Sequence, residues 1–199
     1  MNVIWDLGNV ILHWSPHELI DGLPISGSQK QKLMQLVFEH KIWNELDAGH
    51  VTEREVVSNI VSMTDLPEKL LIHVLDEARA SLRLIEPSIC IMKELSVSGI
   101  PQYCLSNMSN ETYEHIKNWP FFELFKGIVI SAQEGLIKPD PEIFNRLLIR
   151  YGLQADQTLF IDDNRSNIKS ASNLGMKVVL FDQSEACYEE IRNLAWMNP

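Results

Sequence analysis

Apolar positions recur along this chain with two different spacings. In the C-terminal half, short apolar runs at residues 102–105, 127–130, 158–161 and 177–181 predict buried strands. Between and around these runs, apolar residues repeat every three or four positions, which predicts helices over residues 87–98, 110–117, 141–151, 164–174 and 185–196. Strands that alternate with helices at this spacing pair in parallel, so the pattern indicates an α/β fold with a doubly wound parallel sheet.

The N-terminal part of the chain has a different pattern. Residues 3–5 predict a buried strand that stops at Asp6, and a second apolar run follows at residues 10–12. From residue 15 to residue 85 the spacing is helical, with no convincing strand, and helices are expected over residues 29–46, 52–63 and 67–84. We therefore expect an α/β core formed by residues 1–14 and 86–199, with a small α-helical cap of residues 15–85 inserted after the first strand.

Charge and cysteine content narrow the classes of partner. The chain has 199 residues and a formal net charge of -10, which argues against nucleic acid, since phosphate backbones are bound by clustered Lys and Arg. Its three cysteines are widely spaced and form neither a disulfide framework nor a zinc motif, so a cytoplasmic location is expected. No apolar stretch approaches the length of a membrane span. The sequence does not indicate an oligomeric state.

Polar side chains follow the predicted strands where each strand ends. Because ligands bind beyond the carboxyl ends of parallel strands, these side chains are expected to meet at one edge of the sheet. They are Asp6, Ser106, Asn107, Lys138, Asp162 and Asp163.

Four sequence motifs contain these residues, in the order "DLGNV", "LSN", "KPDPEIF" and "FIDDNRSNIKSASNLGM". In these motifs the chain resembles the haloacid dehalogenase (HAD) superfamily of hydrolases, whose members carry a similar helical cap. Within it, the "DLGNV" start is similar to that of bacterial sugar-phosphate phosphatases of the α-glucose-1-phosphate type. The resemblance implies a small phosphorylated metabolite as substrate.

The resemblance also implies a role for each residue of the edge. Asp6 would be the nucleophile that forms an aspartyl-phosphate. A Mg²⁺ ion would be held by Asp6, the backbone carbonyl of Gly8 and Asp163, with Asp162 acting through water. Ser106 and the amide of Asn107 would grip phosphoryl oxygens, and Lys138 would neutralise their charge.

The sequence departs from the resembling phosphatases at Gly8, where most of them carry a second aspartate as general acid and base. One explanation is a phosphatase whose leaving group needs little protonation, with water, His13 or a cap side chain handling the proton. A second is a metal-independent 2-haloacid dehalogenase, and a third is a non-catalytic member that binds phosphate or a partner. Since the nucleophile, the lysine and the metal-binding acids are all present, a magnesium-dependent phosphatase is the favoured interpretation.

Two further expectations concern the surroundings of the nucleophile. Gly8 is expected to let the backbone turn closely around the metal and present its carbonyl. His13 is expected to contact substrate where the chain enters the cap. Polar and aromatic cap residues expected to set specificity are Trp14, His17, Trp43, Asn44 and Asp47.

Overall fold

A five-stranded parallel sheet forms the centre of the protein, whose computed structural model describes residues 1–196. The strands of the chain are β1 (Asn2–Trp5), β2 (Leu12–His13), β3 (Arg83–Leu84), β4 (Gln102–Ser106), β5 (Gly127–Ile130), β6 (Thr158–Asp162) and β7 (Lys177–Leu180). The sheet has the order β5-β4-β1-β6-β7, which places β1 at its middle. Trp5, the last residue of β1, lies opposite Cys104 of β4 and Ile161 of β6.

Helices cover both faces of this sheet. Those after β3 are α6 (Glu86–Val97), α7 (Asn110–Ile116), α8 (Ser131–Glu134), α9 (Pro141–Tyr151), α10 (Arg165–Asn173) and α11 (Glu185–Trp196). Side chains of β1 alternate between the two layers: Val3 and Trp5 pack with residues of α6 and α11, whereas Ile4 packs with residues of α9 and α10. The predicted α/β fold with a doubly wound parallel sheet is confirmed.

Five helices lie between β2 and β3 and pack mainly on one another. They are α1 (Pro16–Gly22), α2 (Gly27–Leu33), α3 (Lys41–Asp47), α4 (Glu53–Met63) and α5 (Glu68–Ala80). Their apolar faces form a separate cluster around Leu33, Val56 and Val74, all fully buried. A capping box between Thr52 and Glu55 begins α4, as its sequence indicates. We call residues 15–85 the cap; its division from the core as a domain stays a prediction.

Two of the predicted cap helices are wrong in extent. The segment expected as one helix over residues 29–46 is interrupted by a π-helical turn, Met34–Phe38, and α3 starts anew where the His40 ring accepts a hydrogen bond from the amide of Ile42. The helix expected over residues 67–84 ends at Ala80. Beyond it, β3 pairs antiparallel with β2, so the cap segment does contain a strand. This strand has two residues, too few to show a period in the sequence.

None of the helices within residues 1–196 has both the length and the apolar content that crossing a membrane requires.

The end of α3 is held tightly against the core. The Ser131 hydroxyl, directly after β5, donates a hydrogen bond to the carbonyl of Asp47 and accepts one from the amide of Met108. Gly49 follows with a φ of +72°, and a Cβ at this position would lie 2.2 Å from the carbonyl oxygen of Ala132. The backbone can approach this closely only because residue 49 has no side chain.

We predict that Gly49→Ala lowers the free energy of unfolding by more than Gly99→Ala does. Gly99 has nearly the same φ, +73°, but a Cβ at residue 99 would meet no atom within 4 Å, so it isolates the cost of the left-handed backbone, roughly 1–2 kcal/mol. Overpacking against Ala132 should add about 1–3 kcal/mol at Gly49. Urea denaturation of both variants measures the difference, and equal losses would contradict the close packing of the cap on the core.

Candidate active site

Asp6 leaves the central strand directly into the edge formed by the carboxyl ends of the strands. The residue is 7% exposed, and Oδ1 accepts a hydrogen bond from the amide of Leu7 at 2.7 Å. Oδ1 also lies 2.8 Å from Nζ of Lys138, whereas Oδ2 has no partner among the described residues. Burial raises the pKa of Asp6 to about 7; Lys138 opposes this rise, and the charge of Asp162 adds to it.

Lys138 is the only cation in contact with the buried carboxylates among residues 1–196. Its Nζ lies 2.7 Å from Oδ2 of Asp162 in addition to its contact with Asp6, and the residue is 3% exposed. Burial alone would lower the pKa of Lys138, but the charges of Asp162 and Asp6 raise it above its ordinary value. The lysine therefore stays charged and offsets part of the repulsion between the two acids.

Asn107 holds the backbone of this lysine. Its side chain donates a hydrogen bond to the carbonyl of Lys138 at 2.9 Å and accepts one from the amide of Lys138 at 2.8 Å. The structure thus gives the Asn107 side chain a positioning role that the sequence did not indicate. Asn107 links the end of β4 to the loop before α9 and so fixes the main-chain position from which the Lys138 side chain extends.

The two acids after β6 have different surroundings. Asp162 is fully buried and also accepts hydrogen bonds from the amide of Asn164 and the side chain of Asn167. Asp163 is exposed, and its carboxylate accepts a hydrogen bond from Asn9. Although part of Asp163 reaches solvent, desolvation of its carboxylate, with the charge of Asp162, raises the pKa of Asp163. Asn167 was not among the predicted residues, although it lies within the fourth motif.

Carboxylate oxygens of Asp6, Asp162 and Asp163 lie within 4.8 Å of one another. Three hard oxygen donors at this separation fit Mg²⁺, which takes few protein ligands and keeps several waters. Ser106 supplies a neighbouring polar atom: it is 1% exposed at the end of β4, and its hydroxyl has no hydrogen-bond partner among the described residues. Such an orphaned buried hydroxyl fits a site that receives an anionic oxygen.

The chain turns at Gly8, where the amide of Val10 donates a hydrogen bond to the carbonyl of Leu7, but this turn does not require the glycine that the sequence suggested. Its φ is outside the left-handed region, and a Cβ built on it would meet no atom within 4 Å. The left-handed residue of this turn is Asn9, with a φ of 53°. Asn9 tolerates this backbone because its short side chain bonds locally, here accepting from the amide of Trp14.

A cleft between the cap and the core opens at this edge. Its walls include Gly8, Ser106 and Asn107 from the core, with Trp14, Trp43 and Asp47 toward the cap. Of the predicted specificity residues, His17 and Asn44 are exposed and do not line the cleft. His13 pairs with Glu18 at 2.9 Å and lines a different surface groove, so the structure does not bring it to Asp6.

Asp47 ends α3 and faces the cleft from the cap. Burial raises the pKa of Asp47 to about 7, the Asp6 charge adds to the rise, and Lys138 opposes it. This electrostatic coupling to both Asp6 and Lys138 follows from its position over the edge of the sheet. The sequence pattern included Asp47 among possible specificity residues but gave no sign that it approaches the nucleophile.

The family model of haloacid dehalogenase-like hydrolases matches residues 28–181. The chain belongs to this family. Its HAD-like fold is shared with a HAD family enzyme from Bacteroides thetaiotaomicron crystallised with magnesium and inorganic phosphate, at a TM-score of 0.73 and 22% identity over 92% of this chain and 95% of that one.

Two curated fungal proteins are similar over nearly the whole HAD-like chain. A sesquiterpene phosphatase from Aspergillus oryzae is 24% identical, covering 96% of this chain and 94% of its own length. A drimenol cyclase from Aspergillus calidoustus is 28% identical over 96% of this chain, which spans 36% of the cyclase.

We predict that Asp47→Asn changes how stability depends on pH in protein freed of metal by EDTA. The unfolded chain loses the Asp47 proton near pH 3.8 and the folded protein near pH 7, so the folded state holds an extra proton between these values. The free energy of unfolding of the wild type therefore falls as pH rises through this window. Asparagine cannot ionise, so the stability of Asp47→Asn relative to wild type should rise from pH 4.5 to pH 8. Denaturant titrations at both pH values measure this, and a difference that does not change with pH would contradict the placement of Asp47.

Proposed function

We propose that this protein is a magnesium-dependent phosphatase that hydrolyses a small phosphomonoester through an aspartyl-phosphate on Asp6. The observation that carries the proposal is the shared contact of Lys138 with Asp6 and Asp162, beside a third carboxylate and the unpaired hydroxyl of Ser106. This arrangement provides a nucleophile, a fixed positive charge and donors for an anion in one small volume.

The metal would be held by Asp6, the carbonyl of Gly8 and Asp163, with Asp162 acting through water. The contacts favour this division, because Asp162 already accepts from Lys138, Asn164 and Asn167, whereas Asp163 is exposed. When bound, Mg²⁺ would supply positive charge that lets a phosphate approach three carboxylates.

The chain's own residues would do the remaining work. Asp6 attacks phosphorus and is freed again when water hydrolyses the aspartyl-phosphate. Lys138 holds Asp6 in place and favours its ionised form, and it offsets charge on the phosphoryl oxygens. The Ser106 hydroxyl and the Asn107 amide donate to those oxygens, and donors already fixed in a buried site need little reorganisation during the reaction.

The cluster of Asp6, Asp162 and Asp163 favours this proposal over the two alternatives that the sequence left open, a dehalogenase and a non-catalytic binding protein. A metal-independent dehalogenase would have to bind the carboxylate of a haloacid beside Asp162 and Asp163, which repel it. The chain is similar in fold to an L-2-haloacid dehalogenase from Xanthobacter autotrophicus, with a TM-score of 0.64 and 14% identity, and this likeness concerns the fold alone. A non-catalytic binding protein would not need a nucleophile paired with a buried lysine.

Two substrate classes are proposed. The "DLGNV" resemblance supports a sugar phosphate. The cleft supports a phosphomonoester with an apolar organic part, because apolar side chains form most of its wall beyond the phosphate end: Leu12, Trp14, Trp43, Leu75, Leu82 and Met108. The similarity to a fungal sesquiterpene phosphatase supports the second class. A cytoplasmic location stays a prediction.

We predict phosphate release from p-nitrophenyl phosphate that requires Mg²⁺ and stops in EDTA. Asp6→Asn should abolish it, because the amide oxygen is a poor nucleophile. Asp156→Asn is the matched control: this aspartate is exposed and precedes β6, at the end of that strand opposite Asp162, and it should keep wild-type activity. Colorimetric phosphate assays measure all three proteins.

The same assay with glucose 1-phosphate and decyl phosphate separates the substrate classes by kcat/KM. A preference for decyl phosphate supports the apolar class, and the reverse supports the sugar phosphate. Absence of phosphate release from every ester, with Mg²⁺ present, would overturn the proposed function.

A further inference from the structure

Residue 8, where this chain has a glycine and no carboxyl group, faces the cleft between the cap and the core. Gly8 lines the cleft, its backbone conformation does not require glycine, and a Cβ there would meet no atom within 4 Å. A side chain on residue 8 would therefore extend into open space beside Asp6. Since Gly8 has no side chain, a proton donor in this part of the cleft has to come from another residue.

Two carboxyl groups of the cap line the cleft, Asp47 and Glu53. Glu53 is not available, because its carboxylate accepts a hydrogen bond from the guanidinium of Arg79 and forms an ion pair with it. The Asp47 carboxylate makes no hydrogen bond or ion pair with any residue in the described range 1–196. Among the described cap residues, Asp47 is thus the acid that can exchange a proton in the cleft.

The backbone around Asp47 is fixed against the edge of the sheet. Its carbonyl accepts the hydrogen bond from Ser131, which directly follows β5, and Gly49 packs against the backbone of Ala132. Since β5 and β1 are parallel strands of one sheet, their carboxyl ends lie at the same edge. Contacts of its own main chain consequently anchor Asp47 at the edge to which β1 delivers Asp6, and its carboxylate faces the cleft without a hydrogen bond or ion pair among the described residues.

We propose that Asp47 is the general acid and base of the reaction, supplied by the cap in place of a carboxyl group at residue 8. This inference rests on the proposed phosphatase function. As Asp6 forms a bond to phosphorus, the bond between phosphorus and the ester oxygen breaks, and the Asp47 carboxyl gives its proton to that oxygen to release the alcohol. The Asp47 carboxylate then takes a proton from water, whose oxygen bonds to phosphorus as the bond to Asp6 breaks. Inorganic phosphate leaves, and Asp6 and protonated Asp47 are restored.

The electrostatics of the site agree with this assignment. Burial raises the pKa of Asp47 to about 7. A group that gives a proton in one step and takes one in the next works best when its pKa lies near the working pH.

The test compares Asp47→Asn with wild type on two esters that differ in leaving group. p-Nitrophenolate leaves without a proton, whereas an alkoxide from an alkyl phosphate needs one. With p-nitrophenyl phosphate, Asp47→Asn should release one equivalent of nitrophenolate per protein in a burst, and then turn over about 10²–10⁴-fold more slowly than wild type, because hydrolysis of the aspartyl-phosphate has lost its base. With the alkyl phosphate, the variant should show the same loss of steady-state turnover but no burst of released alcohol.

Two further variants separate proton transfer from a structural role. Glu45→Gln alters an exposed acid on the same helix, paired with His50, and should retain wild-type kinetics on both esters. Gly8→Asp in the Asp47→Asn background should restore turnover by about tenfold or more, since a carboxyl group again reaches the open space. Asp47→Ser gives the same comparison if Asp47→Asn does not fold.

The outcomes distinguish this inference from the function on which it rests. An active wild type whose Asp47 variants lose the same factor on both esters, without a burst, would overturn the inference and leave the phosphatase standing. So would Asp47 variants with unchanged turnover. An inactive wild type would overturn the proposed function itself. Failure of Gly8→Asp to restore turnover would overturn the claim that the two positions serve one role.

Discussion

The contact of one buried ammonium group with two buried carboxylates is the interaction on which this site depends. Nζ of Lys138 lies 2.8 Å from Oδ1 of Asp6 and 2.7 Å from Oδ2 of Asp162. Each of the three side chains is almost completely removed from solvent. Removing one member of such a group leaves an uncompensated buried charge, a loss of about 3–5 kcal/mol. The same contact that keeps the edge of the sheet stable also holds a carboxylate oxygen of Asp6 in a fixed place.

The rest of the fold sets the geometry of this contact. The central position of β1 delivers Asp6 between β4 and β6, whose ends carry Ser106 and Asp162. Asn107 holds the lysine through its backbone, so the ammonium position does not rely on the flexible side chain alone. The cap closes the cleft from the other side, with its main chain anchored at Ser131.

Residues at strand ends could be predicted from sequence because their position follows from two simple regularities, strand periodicity and parallel pairing. This accounts for the common location of Asp6, Ser106 and Asp162, which Lys138 reaches from the loop between α8 and α9. The short β3, the interruption of the helix at Met34–Phe38 and the approach of Asp47 to the edge could not be predicted, because each depends on contacts between distant segments. For Gly8 the expectation from the sequence was too strict. The local turn was expected to need glycine, whereas a Cβ at residue 8 would meet no atom within 4 Å.

If Asp6 is the nucleophile that attacks phosphorus, the phosphoryl group must be found on Asp6 during turnover. Wild-type protein mixed with Mg²⁺ and p-nitrophenyl phosphate is quenched rapidly in acid, digested at low pH and examined by tandem mass spectrometry. We expect an acid-stable, alkali-labile phosphoryl group on Asp6 that appears and decays at rates compatible with turnover. Phosphate release with no phosphoryl group on the protein, or with the group on another residue, would contradict it.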